Sequence, residues 1–138
     1  MNIKSVLGAA CAAIAIAAAI PAAAHDLGEK VTPYFEQAIT NIPGKSLVAF
    51  IVDYAPGGAS ASHLHSKSSF VFAYVVSGAI ESQVNDEAKR VYRAGESWYE
   101  TPGSHHRVSR NASTTEPAKL LAVFVADTDD KALTTPAE

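Results

Sequence analysis

The stretch Gly57-Gly58-Ala59-Ser60-Ala61-Ser62-His63-Leu64-His65, followed by Ser66-Lys67-Ser68-Ser69 and the apolar run Phe70 to Val76 up to Ser77-Gly78, decides how this chain is read. A His-x-His step on an extended backbone puts both imidazoles on one face of a sheet, because side chains alternate with period 2. A second pair, His105-His106, lies 40 residues beyond His65, and the only other histidine is His25. One more imidazole from a distant strand would complete a trio able to grip a transition metal. Adjacent strand residues face opposite ways, so only one of His105 and His106 can join such a trio.

Outward from that stretch the chain is a series of short strand-like runs. Leu47 to Tyr54 is rich in Val, Ile and aromatics and ends at Pro56-Gly57-Gly58. Phe70 to Val76 is apolar at nearly every position, which predicts a strand covered on both faces, by the rest of a barrel or by a partner subunit. Ala79 to Val84 alternates, Asn85-Asp86-Glu87 turns, and Lys89 to Arg93 and Ser97 to Glu100 follow with Ala94-Gly95 between them. After Thr101-Pro102-Gly103 come His105 to Ser109 and a last apolar strand, Leu120 to Ala126. Regular short strands with Gly/Pro turns and no long helix predict an all-β, antiparallel sandwich or small barrel.

The ends differ from this middle. Met1 to Lys4 is a short basic start, Val6 to Ile20 is an Ala/Ile-rich apolar stretch and Ala22-Ala23-Ala24 is a small-residue cleavage site. That three-part pattern predicts a secretory signal over 1–24, removed on export to a bacterial periplasm or beyond, with no stable membrane anchor left. The product of about 114 residues is one domain. We divide it into an arm over 25–45, with Thr32-Pro33 opening a short helical turn, a barrel over 46–127 and a polar, frayed tail over 128–138. Cys11 leaves with the signal, which excludes disulfides, thiolate ligands and cysteine nucleophiles. Loss of Lys4 takes the formal charge from −3 to −4, and no dense Lys/Arg tract suggests nucleic acid as a partner.

In order the residues read Gly57, five residues, His63-Leu64-His65, then Gly78, and after sixteen residues Gly95, Pro102-Gly103, His106 and Asn111. This resembles the two motifs of the cupin superfamily, roughly G-x5-H-x-H-x(3,4)-E-x6-G and G-x5-P-x-G-x2-H-x3-N, and among its members the small single-domain secreted bacterial cupins. The resemblance implies a small antiparallel jelly-roll β-barrel with His63, His65 and His106 as metal ligands. His106 is preferred to His105 because it stands three residues after Gly103. The family's motif glutamate has no counterpart: no Asp, Glu or Gln occurs from Ser66 to Ile80. Glu81 and Glu100 are the nearby carboxylates, and neither matches the motif.

Three neutral imidazoles would leave the full dipositive charge on the metal and favour an anionic partner. The resemblance then implies a divalent transition metal, iron(II) first, with zinc, manganese, copper or nickel as alternatives. It implies either an enzyme of the iron(II) dioxygenase kind acting on a small organic molecule or a non-catalytic cupin that binds or senses one. Zinc would instead suit hydrolysis or lyase chemistry. Tyr74, Trp98 and Tyr99 are candidates for the pocket wall, Tyr74 and Trp98 ahead. Arg107 and Arg110 read as solvated surface, and the apolar strands permit a homodimer.

Overall fold

The computed structural model describes residues 27–138; the signal segment expected over 1–24 and the terminal His25 lie outside the described residues. The described chain is all-β. Ten strands follow in order: β1 (Glu29–Ala38), β2 (Lys45–Tyr54), β3 (His63–His65), β4 (Phe70–Ser77), β5 (Ala79–Val84), β6 (Arg90–Arg93), β7 (Ser97–Glu100), β8 (His105–Asn111), β9 (Ala118–Asp127) and β10 (Thr134–Pro136). They form two five-stranded antiparallel sheets, ordered β1-β2-β9-β4-β7 and β10-β3-β8-β5-β6. The sheets face one another as a jelly roll but do not hydrogen-bond into a closed barrel. No helix among the described residues is long and apolar enough to cross a membrane.

The long strands carry the alternation that a half-buried sheet requires. In β9 every second residue, Ala118, Leu120, Ala122, Phe124 and Ala126, is buried. These pack with Val52, Tyr54, Val71, Ala73, Val75 and Trp98 on the inner face of the first sheet. Burying such side chains is worth roughly 1.5–3 kcal/mol each for the larger ones, which makes this inner face the main source of stability.

Of the two alternatives read from the sequence of strand β4, cover by the rest of the same chain is met on only one of its faces. Val71, Ala73 and Val75 point inward, but Phe70, Phe72, Tyr74 and Val76 lie on the outer face with 37–44 % of their surface exposed. The continuous apolar run therefore has one covered face within the chain rather than two. Phe70 stacks on Tyr99 of β7 across that outer face, ring centroids 5.7 Å apart.

The ends are also more ordered than composition suggests. The expected arm is extended, and from Glu29 to Ala38 it pairs with β2 as the sheet edge. No helical turn forms at Thr32-Pro33. Pro33 sits where the register shifts between Pro33 and Phe35, an edge position that tolerates a missing N–H. The expected frayed tail contributes β10, whose Thr134, Thr135 and Pro136 pair with His65, Leu64 and His63.

Asn111 locks the end of β8 to the loops around it. Its amide nitrogen donates to the carbonyls of Ala55 (3.1 Å) and Glu116 (2.7 Å), and its side-chain oxygen accepts from Ser113 N–H (2.9 Å). Asn111→Ala strands these partners in a buried setting, so we expect a loss of about 2 kcal/mol in urea unfolding with metal affinity unchanged. The same bonds occupy the nitrogen that the Asn111-Ala112-Ser113 sequon would offer to a glycan.

Candidate metal centre

Three strands bring the site together. β3 is only three residues long, and its His63 and His65 straddle Leu64, which is 40 % exposed on the opposite side. β8 lies beside it with His63 opposite His106 and Leu64 opposite His105. The ligating atoms of His63, His65 and His106 all lie within 4.8 Å of one another. His105 turns away, its Nε2 in a 2.7 Å hydrogen bond with Ser62 Oγ. The structure thus brings His106 and not His105 to the other two imidazoles.

The third strand supplies what Ser66 to Ile80 lacks. In β7 the alternation Ser97-Trp98-Tyr99-Glu100 sends Trp98 and Glu100 inward, and Glu100 is only 2 % exposed. One carboxylate oxygen, Oε2, lies 2.9 Å from His65 Nε2, and Oε1 lies 3.3 Å from His106 Nδ1. Trp98 Nε1–H donates to Oε1 at 3.1 Å. The expectation of three histidines with no carboxylate at hand is therefore corrected: a buried glutamate from another strand stands against two of them. Glu81 does not enter; it pairs with Arg110 at 2.9 Å.

The sequence carried a signal for this that the motif comparison passes over. Once Trp98 is placed inside, the period of 2 places Glu100 inside as well. A buried glutamate is rare without a partner, so it marks a site.

Several hydrogen bonds orient the rings. His63 Nδ1–H donates to the Ala61 carbonyl at 2.8 Å, which fixes its tautomer and leaves the Nε2 lone pair free. His106 Nε2 shares a 2.9 Å hydrogen bond with the buried Ser82 hydroxyl. Burial lowers the pKa of His63 and, more strongly, that of His106, to about 4, despite the nearby Glu100 carboxylate. Both imidazoles are neutral at pH 7, the form in which histidine binds metal. Burial alone would raise the Glu100 pKa, but His65, His106 and Trp98 outweigh it and hold the carboxyl below its usual range.

These residues fit a metal ion. His65 Nδ1 and Nε2 and Glu100 Oε2 are buried with no aligned hydrogen bond, although Nε2 and Oε2 are only 2.9 Å apart. Unsatisfied buried polar atoms are costly, and a cation shared by Glu100 Oε2 and one nitrogen of His65 would satisfy that pair. Two neighbouring ligands each about 2.1 Å from one ion at a right angle stand about 3.0 Å apart, close to the observed separation.

The trio opens on a cavity of about 450 Å³ between the sheets. Its walls are Phe50, Val52, Val71, Leu120, Ala122 and Phe124. Trp98 lines it as expected, whereas Tyr74 lies on the outer face and takes no part. Tyr99 is likewise outside, and Arg107 and Arg110 are surface residues paired to Asp86 and Glu81. Glu100, named in the sequence as a nearby carboxylate outside the motif, lines the cavity, and so do Tyr54, Ser109 and Glu29, which sequence reasoning missed. Tyr54 and Ser109 looked like ordinary strand residues, and Glu29 lay in what reads as an arm.

A model of the cupin domain family matches residues 50–124, more than half of the chain. The chain belongs to the cupin family. Solved structures agree in fold. One is a protein from Klebsiella pneumoniae with a double-stranded β-helix domain (TM-score 0.62, 21 % identity, 80 % of this chain and 84 % of that one). Another is an oxalate oxidase in complex with glycolate (0.62, 22 %, 82 % and 57 %). A third is the DMSP lyase DddQ from Ruegeria pomeroyi (0.55, 16 %, 66 % and 43 %). At these identities the likeness extends to the fold of this cupin alone. No curated protein matches the chain at a significant level.

Proposed function

We propose that this cupin is an exported metalloenzyme of the dioxygenase kind, in which His63, His65, His106 and Glu100 hold one divalent transition metal, iron(II) first. A small organic molecule would bind through an oxygen atom at a remaining coordination position. The observation that carries the reading is the set of buried, unsatisfied ligand atoms on His65 and Glu100. When bound, the metal would polarise an oxygen ligand and, as iron(II), engage dioxygen.

The chain's own residues supply the rest. Ala61 and Ser82 hold two imidazoles in orientation, Trp98 holds the carboxylate, and the apolar walls exclude bulk water. Among the described residues no methionine or cysteine lines the cavity to be oxidised. The signal pattern over 1–24 supports export. The oxalate oxidase in complex with glycolate supports a small oxygen-bearing ligand.

The test is metal analysis of the mature protein from a periplasmic fraction, followed by oxygen-uptake assays of the iron(II) form with thiols, diketones and phenols. We expect about one metal per chain, lost in His65→Ala, and uptake with at least one class. Absence of metal after loading with iron, zinc, copper, manganese and nickel would overturn the site. Metal without uptake across the panel would overturn the dioxygenase assignment.

A further inference from the structure

The cavity has a second polar pole that the metal centre does not use. Glu29 on β1 and Tyr54 on β2 are register partners at the edge of the first sheet, and both line the cavity with Ser60 and Ser109. The Tyr54 hydroxyl is 2.6 Å from Ser60 Oγ and 2.8 Å from Ser109 Oγ, and Ser60 Oγ–H donates to Glu29 Oε2. The carboxylate only accepts, so this chain has one direction. Ser60 gives its proton to Glu29, Tyr54 gives its proton to Ser60, and Ser109 gives its proton to Tyr54. The relay of three hydroxyls thus ends on one oxygen of Glu29, which only Ser60 touches.

The other oxygen, Oε1, has no hydrogen-bond donor or cation bonded to it among the described residues. Lys131, the one Lys or Arg among the described residues that lines the cavity, pairs with Glu36 at 3.6 Å and donates to the Thr128 carbonyl at 3.1 Å. Among the described residues Glu29 therefore keeps one carboxylate oxygen unbonded at the wall of the cavity that the metal centre also lines.

The spacing between the poles follows from the strands. Ser60 precedes His63 by three residues and Ser109 follows His106 by three, and Ser60 N–H bonds the Ser109 carbonyl at 2.9 Å. Three residues of strand span at most about 10 Å, and the register shift in β8 between Val108 and His106 shortens this. Allowing about 2 Å for a metal–oxygen contact and about 3 Å for a hydrogen bond leaves at most about 5 Å between the head oxygen and the tail atom, room for two or three carbons.

We propose that the Glu29–Ser60–Tyr54 cluster is a substrate-recognition pole. It selects a compact bifunctional molecule with an oxyanion head for the metal, an apolar body for the Phe50, Val52, Leu120 and Ala122 walls, and a hydrogen-bond-donating tail, ammonium or hydroxyl, for Glu29. The assignment of the head rests on the metal reading above; that of the tail rests on Glu29 alone.

Trp98 is the single tryptophan of the chain and lines the cavity, so its fluorescence reports occupancy. The full mature protein, metal-loaded and metal-free, is titrated with propanoate, 3-hydroxypropanoate and 3-aminopropanoate. We expect the amine to bind about tenfold tighter than propanoate, the alcohol to fall between, and Glu29→Gln to bring all three within about twofold. In Glu29→Gln the side-chain oxygen still accepts from Ser60, so the fold is kept. Equal affinities in the wild type, a preference that survives Glu29→Gln, or no binding of any of the three overturns the proposal. Metal content measured on the same samples separates this from failure of the metal reading. If the histidines hold no metal, the amine preference of the metal-free protein still decides the role of Glu29.

Discussion

Glu100→Gln is expected to weaken divalent-metal affinity by about 100-fold or more, measured by competition with a chromophoric chelator at pH 7.5. The substitution keeps the shape and an oxygen for the Trp98 N–H, so the metal-free fold persists. What it removes is the negative charge that offsets one of the two positive charges of the ion in a buried site, where charge is poorly screened. Loss of an outer partner of a metal site already costs about 10–100-fold, and a direct ligand costs more. Glu81→Gln is the control, because that carboxylate faces Arg110 rather than the trio, and its affinity should match the wild type. If Glu100→Gln binds metal as tightly as wild type, the ion is held by the three histidines alone.

The second large effect concerns acid. Metal-free protein should lose about 3 kcal/mol of unfolding free energy from His106 alone as the pH falls from about 6.5 to about 4. In that window the unfolded chain takes a proton on this imidazole and the folded chain, with the ring buried, does not. The unfolded state is thereby favoured, and stability present above pH 6.5 drains away on acidification. His63 is shifted in the same direction by its burial, and Glu100, held below its usual range, adds a further loss once it is protonated. Urea unfolding at a series of pH values, with chelator present, reads this directly. His106→Asn should flatten the profile between pH 6.5 and 4. A wild-type profile that is already flat there would show that the imidazole is protonated in the folded state.

Much of this site was legible from residue order. The His-x-His step fixed two imidazoles on one face, the distance from Gly103 chose His106 over its neighbour, and strand alternation made the fold all-β. These features are local, and period 2 carries them. Glu100 stood out only as one of two nearby carboxylates, because the family's motif places its glutamate at a fixed offset from His65. The sandwich instead brings one across from β7, and which strand ends meet between two sheets is a tertiary fact. Phe70 to Val76 is covered within this chain on one face only, which sets aside the closed-barrel alternative and leaves the partner-subunit one. An apolar run shows that both faces tolerate burial, not that the same chain covers both. The roles of Glu29 and of Thr134 to Pro136 were hidden because edge strands are held by main-chain pairing, which leaves a weak composition signal.

Both ends of the folded domain flank the cavity: Glu29 lines it near the first described residue, and Pro136 lines it two residues before the last. An affinity tag at either end would hang beside the opening, and a polyhistidine tag would put foreign imidazoles within reach of the trio. Metal stoichiometry and ligand titrations therefore call for protein from which any tag has been removed.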